Sequence, residues 1–201
     1  MSIPLPPPIP KGGMSLREAI SRRRSIRHFT REPISQSQLS QILWAAQGIT
    51  DVRSGDRAIP SAGATYPLEI FVVVGRDSVE GISGGIYHYN PESHSLTAHR
   101  QGDLRQELAG AALEQECLYQ APIDIVICAE YERTMLGYDA RGERYVHIEV
   151  GHAGQNIYLQ ATALGLATVA IGAFHDEQVR EILQLDEGIK PLYIMPVGKP
   201  G

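Results

Sequence analysis

The sequence predicts an α+β domain with a central, mostly antiparallel sheet flanked by helices. Strand and helix patterns are interspersed along the chain, without the regular alternation that is typical of parallel α/β folds. The 201 residues, of which 43% are hydrophobic and 20% charged, are enough to build a full core. We therefore expect a single domain over residues 14–201, preceded by an extended arm, rich in Pro and Gly, over residues 1–13.

Capping residues predict where two helices begin. Ser15 followed by Glu18 forms a capping box, which indicates a short helix through Ile20. Ser35 and Gln38 repeat this arrangement. The residues that follow include four apolar ones with the spacing of one helical face, which predicts a helix with a buried side. They are Leu39, Ile42, Leu43 and Ala46.

The remaining elements follow from apolar runs and the residues that interrupt them. Runs rich in β-branched and aromatic residues predict strands at residues 68–74, 86–89, near 96, 123–129, 168–171 and 192–197. Helical spacing predicts helices at residues 102–117, 144–163 and 176–183. Gly165 is expected to end the second of these helices, and Asp176 to cap the third.

Composition excludes several classes of protein. No run approaches the roughly 20 apolar residues that span a bilayer, and residues 1–13 lack a signal-peptide pattern, so we expect a cytoplasmic protein. The formal charge of -5 and the lack of an extended basic face argue against nucleic-acid binding. Cys117 and Cys128 have no metal-ligand spacing, so neither a metal site nor a disulfide is predicted. The expected partner is a small molecule.

The most informative local feature is a basic run in this acidic chain. It holds four of the 18 Lys and Arg residues, namely Arg22, Arg23, Arg24 and Arg27, with Ser25 between them. Because the planar guanidinium group suits phosphate and a hydroxyl can also donate to it, the run predicts a site for a small anion. A solvated helix end is the alternative. Gly-rich dinucleotide-binding loops and P-loops are absent from the sequence, so phosphate binding must rest on these side chains.

The loop before the first central strand is the second signal. Small side chains allow a backbone to approach a flat ligand closely, and a hydroxyl can hydrogen-bond the edge of a ring. Taken alone, the loop would be interpreted as a turn into a strand. It consists of Pro60, Ser61, Ala62, Gly63, Ala64, Thr65, Tyr66 and Pro67.

Four motifs, in this order, resemble the nitroreductase superfamily, and within it most closely the SagB-type dehydrogenase branch. They are RRSxRxF from Arg23, PSAG from Pro60, GHxxQNxxLxA from Gly151 and IGAF from Ile171. The resemblance extends over about residues 15–199. It implies a nitroreductase-like fold, an intertwined homodimer, and one FMN per active site at the subunit interface.

The resemblance also implies a role for each group of residues. The phosphate and ribityl end of FMN is assigned to Arg23, Arg24, Ser25 and Arg27. The same FMN would be reached from the partner subunit by Pro60, Ser61, Ala62 and Gly63. The ring would lie along Ile171, Gly172 and Ala173, with a backbone N–H of the last two facing N5. Gln115 is expected at the pyrimidine edge, and Gly198 and Lys199 on the phosphate side.

Other residues are candidates for the substrate side. His152 fits either a substrate-side or dimer-interface role or that of a hydrogen-bonded interface histidine, and Tyr66 is expected above the flavin. A tyrosine-rich patch is interpreted either as a packed, solvated helical surface or as a substrate-entry segment: Tyr131, Arg133, Tyr138, Arg141, Arg144 and Tyr145. No protein nucleophile is predicted, because a flavin carries out the hydride transfer itself.

The family pattern and the chain differ in two respects. Many nitroreductases carry an acidic residue beside N5, whereas Gly172 and Ala173 do not supply one, so a proton there is expected from water or substrate. Some relatives have a longer C-terminal arm, and we expect the arm of this dimer to be short or supplied by residues 1–13.

The leading functional hypothesis is an FMN-dependent oxidoreductase that works by ping-pong hydride transfer through flavin N5. Its reaction is either NAD(P)H-dependent reduction of nitroaromatics or quinones, or SagB-type dehydrogenation of a small or peptide-derived substrate. The alternatives are a non-catalytic flavin-binding or flavin-fragmenting protein on the same fold, and a dimeric scaffold without cofactor. The sequence does not distinguish between the two reactions.

Overall fold

The computed structural model describes residues 2–201, and seven of its strands form one sheet. The strands are β1 (Ser2–Pro4), β2 (Ile49–Asp51), β3 (Asp56–Arg57), β4 (Leu68–Val74), β5 (Gly85–Asn90), β6 (Ser95–Gln101), β7 (Ile123–Glu130), β8 (Ala167–Thr168) and β9 (Ile189–Gly198). Their order in the sheet is β1-β6-β5-β4-β7-β9-β8, and every pair is antiparallel. The separate hairpin of β2 and β3 was not predicted.

Helices cover both faces of the sheet. They are α1 (Leu16–Arg22), α2 (Gln36–Gln47), α3 (Arg105–Ala111), α4 (Cys117–Gln120), α5 (Glu132–Tyr138), α6 (Arg141–Ala163) and α7 (Asp176–Leu183). Because side chains alternate along a strand, Ile70 and Val72 of β4 pack toward α2 and α6, while Phe71 and Val73 pack toward α3, α4 and α7. This arrangement confirms the predicted α+β class with an antiparallel sheet.

The 23-residue helix α6 is the longest element of the fold. At 1.5 Å per residue it extends about 34 Å. Its core-facing residues are spaced by three or four positions and all lie in the core cluster shared with α2: Val146, Val150, Ala153, Ile157 and Ala161. The helix therefore crosses one face of the sheet, and different turns of it reach different parts of the candidate site.

The predicted helix over residues 102–117 is wrong. Two short helices, α3 and α4, take its place, and the chain between them has positive φ angles of 57° at both Leu113 and Glu114. Such angles are incompatible with a continuous right-handed helix. The strand predicted at residues 168–171 is also shorter, since β8 ends at Thr168 and Ile171 only forms a bridge to Ile194.

The predicted caps were confirmed to different degrees. Ser35 and Gln38 form a reciprocal capping box at the start of α2. Ser15 accepts a hydrogen bond from the Glu18 amide as predicted, but the Glu18 carboxylate pairs with an arginine one turn later. The cap position of α7 is occupied by His175, not by Asp176, which lies in the first turn.

Residues 2–6 lie against their own domain. Strand β1 pairs with β6, the amide of Leu5 donates to the carbonyl of His94, and the hydroxyl of Ser40 donates to the carbonyl of Pro6. The extended arm predicted for residues 1–13 thus contributes the edge strand of the sheet, while Met1 lies outside the described residues. The domain boundary at residue 14 stays a prediction.

Replacing Ser35 with Ala is expected to lower the free energy of unfolding by about 1 kcal/mol. Its hydroxyl accepts from the Gln38 amide at 3.1 Å, and without it that donor at the helix start loses its partner. Urea unfolding measures the change. Ser37→Ala is the matched control, because Ser37 is exposed on the same helix; an equal loss in both variants would contradict the capping role.

Candidate functional site

The basic segment follows directly on α1. Ser25 forms a parallel bridge with Thr168 of β8, and the amide of Ile26 donates to the carbonyl of Thr168 at 3.1 Å. The segment is therefore fixed beside the short edge strand of the sheet. The side chains of Arg24, Ser25 and Arg27 remain exposed at this edge.

The arginines of this segment differ in their partners. Arg22 pairs with Glu18 at 2.7 Å on α1, so its charge is already balanced. The guanidinium group of Arg24 donates to two backbone carbonyls, at 2.7 and 2.9 Å. In the described part of the chain, Arg23, Arg24 and Arg27 have no carboxylate partner, and three positive charges are left for a ligand.

Tyr158 of α6 contacts this segment and a second one. Its hydroxyl lies 2.8 Å from the Ser25 hydroxyl and 2.8 Å from the Ala170 amide, which donates to it. The guanidinium carbon of Arg23 lies 5.0 Å from the centroid of the tyrosine ring, a cation–π distance. Residues 23–25 and 170 are thereby brought together.

Residues 171–173 follow directly. Ile171 is buried, whereas Gly172 and Ala173 are exposed. The amides of Gly172 and Ala173 have no hydrogen-bond acceptor within residues 2–201. The side chain of Gln115 donates to the carbonyl of Ala173 at 3.2 Å, so the predicted pyrimidine-edge residue does lie beside this segment.

The predicted C-terminal contacts lie next to the basic segment. Gly198 is buried at the end of β9, where a Cβ would come within 2.5 Å of Pro122, so close packing requires glycine. The Thr30 amide donates to the carbonyl of Lys199 at 3.0 Å. The ammonium group of Lys199 pairs with Glu32, and its charge is therefore partly neutralised.

The loop with the PSAG motif is held in an unusual backbone conformation. Ala62–Ala64 form a 3₁₀ turn in which Gly63 has φ 60°, and a Cβ there would lie 2.8 Å from the hydroxyl oxygen of Tyr138. Glycine is thus favoured both by the positive φ and by the contact with α5. The Ser61 hydroxyl accepts from the Tyr66 amide at 2.9 Å, closing the loop.

Tyr66 is fixed on several sides. Its φ of 45° is uncommon for a non-glycine residue. The Arg57 guanidinium carbon lies 4.4 Å from its ring centroid, and Arg133 donates to its carbonyl at 3.2 Å. The predicted substrate-side residue is therefore held rigidly at the surface of this loop.

Arg133 connects the loop to the sheet through Glu69. It pairs with Glu69 at 2.5 Å, and His88 lies 2.6 Å from the other carboxylate oxygen of Glu69. Burial alone would raise the pKa of Glu69, but the hydrogen bond from His88 and the charge of Arg133 outweigh it and lower the pKa. Glu69 therefore stays ionised and holds Arg133 in place.

A buried carboxyl group lies beneath the same loop. Glu149 of α6 is 2% exposed, and neither its Oε1 nor the Nε2 of Gln47 has a hydrogen-bond partner within residues 2–201. Burial raises the pKa of Glu149, opposed by the neighbouring Ser61 and Gln47 side chains and the charge of Arg57. Arg57 in turn donates to Oε1 of the Gln47 side chain at 2.9 Å.

The two halves of the predicted site contact different turns of α6. Tyr158 supports residues 23–25 and 170, while Glu149 lies beneath the PSAG loop. Nine residues of helix separate them, a distance of about 13.5 Å along the axis. Within one chain, the structure brings the basic segment, residues 171–173, Gln115 and Lys199 together, and it does not bring the PSAG loop to them.

The other candidates lie on the surface of α5 and α6. His152 and Gln155 are exposed, one turn apart on α6. In the tyrosine-rich patch, the rings of Tyr138 and Tyr145 pack edge to face at 5.1 Å, and the Tyr131 hydroxyl lies 2.6 Å from His147. These contacts fit a packed helical surface, and the alternative of a substrate-entry segment stays a prediction.

Sequence reasoning missed Tyr158 and Glu149. Both lie on the long helix that was predicted, Tyr158 at a variable position of the GHxxQNxxLxA motif. A possible signal was that a tyrosine and a glutamate occur on the core side of an amphipathic helix, where each needs a hydrogen-bond partner.

No group of three or more His, Cys, Asp or Glu side chains in residues 2–201 is arranged to hold a metal ion. In the same range, no helix combines the length and apolar character needed to cross a membrane. Cys117 and Cys128 are buried free thiols.

Comparison with known proteins identifies the family. The sequence pattern of the nitroreductase family matches residues 20–199. The chain belongs to the nitroreductase family. The predicted nitroreductase-like fold is thereby confirmed, and the chain is an oxidoreductase of this family.

Several nitroreductase-family relatives are similar over most of the chain. A candidate nitroreductase of Methanocaldococcus jannaschii, MJ1384, is 50% identical over 186 residues, 92% of this chain and 91% of the relative. The FMN reductase [NAD(P)H] of Bacillus subtilis is 27% identical, with 91% of this chain and 65% of the relative covered.

The predicted similarity to the SagB-type branch is confirmed by a third relative. The microcin B17-processing protein McbC of Escherichia coli is 30% identical over 172 residues, 82% of this chain, and the chain covers 62% of its length.

A crystal structure of a candidate nitroreductase from Ralstonia eutropha superposes with a TM-score of 0.88 at 28% identity, covering 100% of this chain and 90% of that one.

Proposed function

We propose that this nitroreductase-family protein is an FMN-dependent oxidoreductase that transfers hydride by a ping-pong mechanism. One observation carries the proposal: guanidinium groups without carboxylate partners lie beside a strand edge where the amides of Gly172 and Ala173 are exposed and unpaired. Similarity to an FMN reductase supports a flavin as the ligand.

The residues of this region fit a phosphorylated planar cofactor. Arg23, Arg24 and Arg27 supply charge for a phosphate dianion, and Ser25 supplies a hydroxyl. The hydroxyl of Thr168, the bridge partner of Ser25, is buried without a hydrogen-bond partner within residues 2–201. A second hydroxyl that can hydrogen-bond a ligand therefore lies below the surface.

We assign Arg23, Arg24, Ser25 and Arg27 to the phosphate and ribityl end, with Gly198 and Lys199 on the same side. Ile171, Gly172, Ala173 and Gln115 are assigned to the ring. Bound there, FMN would supply hydride transfer at N5. Since Gly172 and Ala173 offer no acidic side chain, we infer that a proton beside them comes from water or substrate.

We further propose a homodimer in which Pro60, Ser61, Ala62 and Gly63 complete the site from the partner subunit. Exposed apolar side chains of α1 and α6 offer a surface that dimerisation would bury: Leu16, Ile20 and Ile148 are 65%, 56% and 49% exposed.

Titration of the purified protein with FMN tests the cofactor. We expect saturable binding, seen as a shift in the visible flavin spectrum, and a flavin-bound dimer by light scattering. A protein that takes up no FMN would overturn the proposal.

Two reactions are then distinguished by anaerobic mixing of the FMN-loaded protein with NADH or NADPH. The reductase reaction predicts rapid bleaching of the flavin, and we expect this result because the FMN reductase relative is named for NAD(P)H. Dehydrogenation of a peptide-derived substrate, supported by the similarity to McbC, predicts no bleaching by either nucleotide. Bound FMN that shows no turnover with any donor or acceptor would favour the non-catalytic alternative.

A further inference from the structure

We propose that Tyr158 is the positioning residue that orients the Ser25 hydroxyl toward the phosphate group of a bound flavin. The inference rests on the proposed function, since it concerns the same site. It assigns a role to a residue on α6 that is not itself part of either flavin-contacting segment.

The hydrogen-bond geometry carries the proposal. The Ala170 amide donates to the Tyr158 hydroxyl oxygen at 2.8 Å, so that oxygen already serves as an acceptor. The Ser25 hydroxyl lies 2.8 Å away, and either hydroxyl can be the donor in that pair. If Ser25 donated, the phenol proton of Tyr158 would have no acceptor among these groups.

The arrangement that gives both the Ala170 amide and the Tyr158 hydroxyl an acceptor runs in one direction. The amide of Ala170 donates to Tyr158, Tyr158 donates to Ser25, and the Ser25 proton is left free. Because Ser25 is exposed and lies between Arg24 and Arg27, that proton is available to an anion bound in this region of positive charge. A chain of hydrogen bonds aligned in this way polarises its members and makes the terminal hydroxyl a better donor to an anion.

The ring of Tyr158 adds a second constraint. It lies beneath the guanidinium group of Arg23, 5.0 Å from its carbon, and restricts a side chain that would otherwise be mobile. One residue therefore orders both a hydroxyl and a cation of the basic segment, and links them to the segment that precedes Gly172 and Ala173.

Tyr158→Phe separates the two constraints, because it removes the hydroxyl and keeps the ring. The expected result is a dissociation constant for FMN that is about threefold to tenfold higher, the effect of losing the hydrogen bond from Ser25 to the phosphate. Affinity for riboflavin, which lacks the phosphate, should not change. In the double variant Tyr158→Phe/Ser25→Ala, binding should be no weaker than in Ser25→Ala alone, since Tyr158 acts through Ser25.

Tyr87→Phe is the matched control. Tyr87 also donates one hydrogen bond, to the Ser83 carbonyl at 2.8 Å, but it lies on β5, away from the basic segment. We expect its FMN affinity to equal that of the wild type.

Three results would overturn the inference: unchanged FMN affinity in Tyr158→Phe, equal weakening of FMN and riboflavin, or additive effects in the double variant. Each leaves the proposed function intact if the wild type binds FMN. A wild-type protein that binds neither flavin would overturn both.

Discussion

Replacing both Arg23 and Arg24 with Ala is expected to weaken FMN binding by about 100-fold or more. Each arginine can make a charge-assisted hydrogen bond to phosphate, which contributes roughly 1.5 to 3 kcal/mol, and about 1.4 kcal/mol corresponds to a factor of ten. Neither charge is neutralised by a carboxylate in the described chain, so no ion pair has to be broken when FMN binds. Fluorescence titration with FMN measures the loss.

Arg22→Ala is the control for this variant. Arg22 belongs to the same run, but its guanidinium group pairs with Glu18 on α1. Its replacement should change FMN affinity less than twofold, a difference that general screening of surface charge can produce. If Arg22→Ala weakened binding as much as the double replacement of Arg23 and Arg24, the run would act as a diffuse basic patch and the assignment of individual residues would be wrong.

This contrast illustrates how much of the site the sequence could predict. The run of arginines was visible, because charge clusters are local features. Its division into a paired Arg22 and three arginines without carboxylate partners was not visible in the run itself, since the partner of Arg22 is one helical turn away and the pair depends on where α1 ends.

Predictions of the fold succeeded where local chemistry determines local structure. The capping residue Ser35 and the β-branched and aromatic run at residues 68–74 both act within a few residues, and both predictions were confirmed. The helix predicted over residues 102–117 failed because Leu113 and Glu114 adopt a left-handed conformation without a glycine or proline to indicate it. The hydrophobic spacing of that segment was compatible with one helix, and only packing against α7 and β9 divides it into two.

The contacts made by Tyr158 and Glu149 were beyond sequence reasoning for another reason. They depend on the relative rotation of α6 over the sheet and on where separate loops meet that helix. The hydrophobic period identifies the buried side of α6, but it does not say which buried turn lies under Ser25 and which lies under Ser61.

Asp124→Asn is expected to stabilise the fold, and to do so more at pH 8 than at pH 5. Asp124 lies on the central strand β7, is 0% exposed, and has no hydrogen-bond partner for either carboxylate oxygen within residues 2–201. Burial raises the pKa of Asp124 well above its usual range, and the charge of Arg105 opposes the shift without cancelling it.

The direction of the pH effect follows from this shift. In the unfolded chain Asp124 ionises near pH 4. In the folded protein its pKa is raised, so the native state binds the proton more tightly, and the free energy of unfolding falls as the pH rises from about 4 through the folded-state pKa. The neutral, isosteric amide does not titrate. Folding must protonate Asp124 but not the amide, so we expect the gain to grow by about 1.4 kcal/mol for each pH unit between about 4 and the folded-state pKa, and to be larger at pH 8 than at pH 5.

Asp103 provides a control whose replacement should change the free energy of unfolding in the opposite direction. It binds Arg105 through both carboxylate oxygens, at 2.8 and 2.7 Å. Burial would raise its pKa, but the hydrogen bonds and charge of Arg105, with a hydrogen bond from the Arg76 amide, lower it to about 2. Asp103 therefore stabilises the fold above pH 4 and loses that effect as the pH falls toward 2.

Urea unfolding at pH 5 and pH 8 distinguishes the two aspartates. Asp124→Asn should raise the midpoint, mainly at pH 8, whereas Asp103→Asn should lower it at both values. If Asp124→Asn lowered the midpoint at pH 8, the carboxylate would have to be stabilised by Arg105, and the charge of that arginine would be shared between Asp103 and Asp124. The geometry argues against sharing, because the guanidinium group of Arg105 is already held by Asp103 and by the Ala121 carbonyl at 2.6 Å.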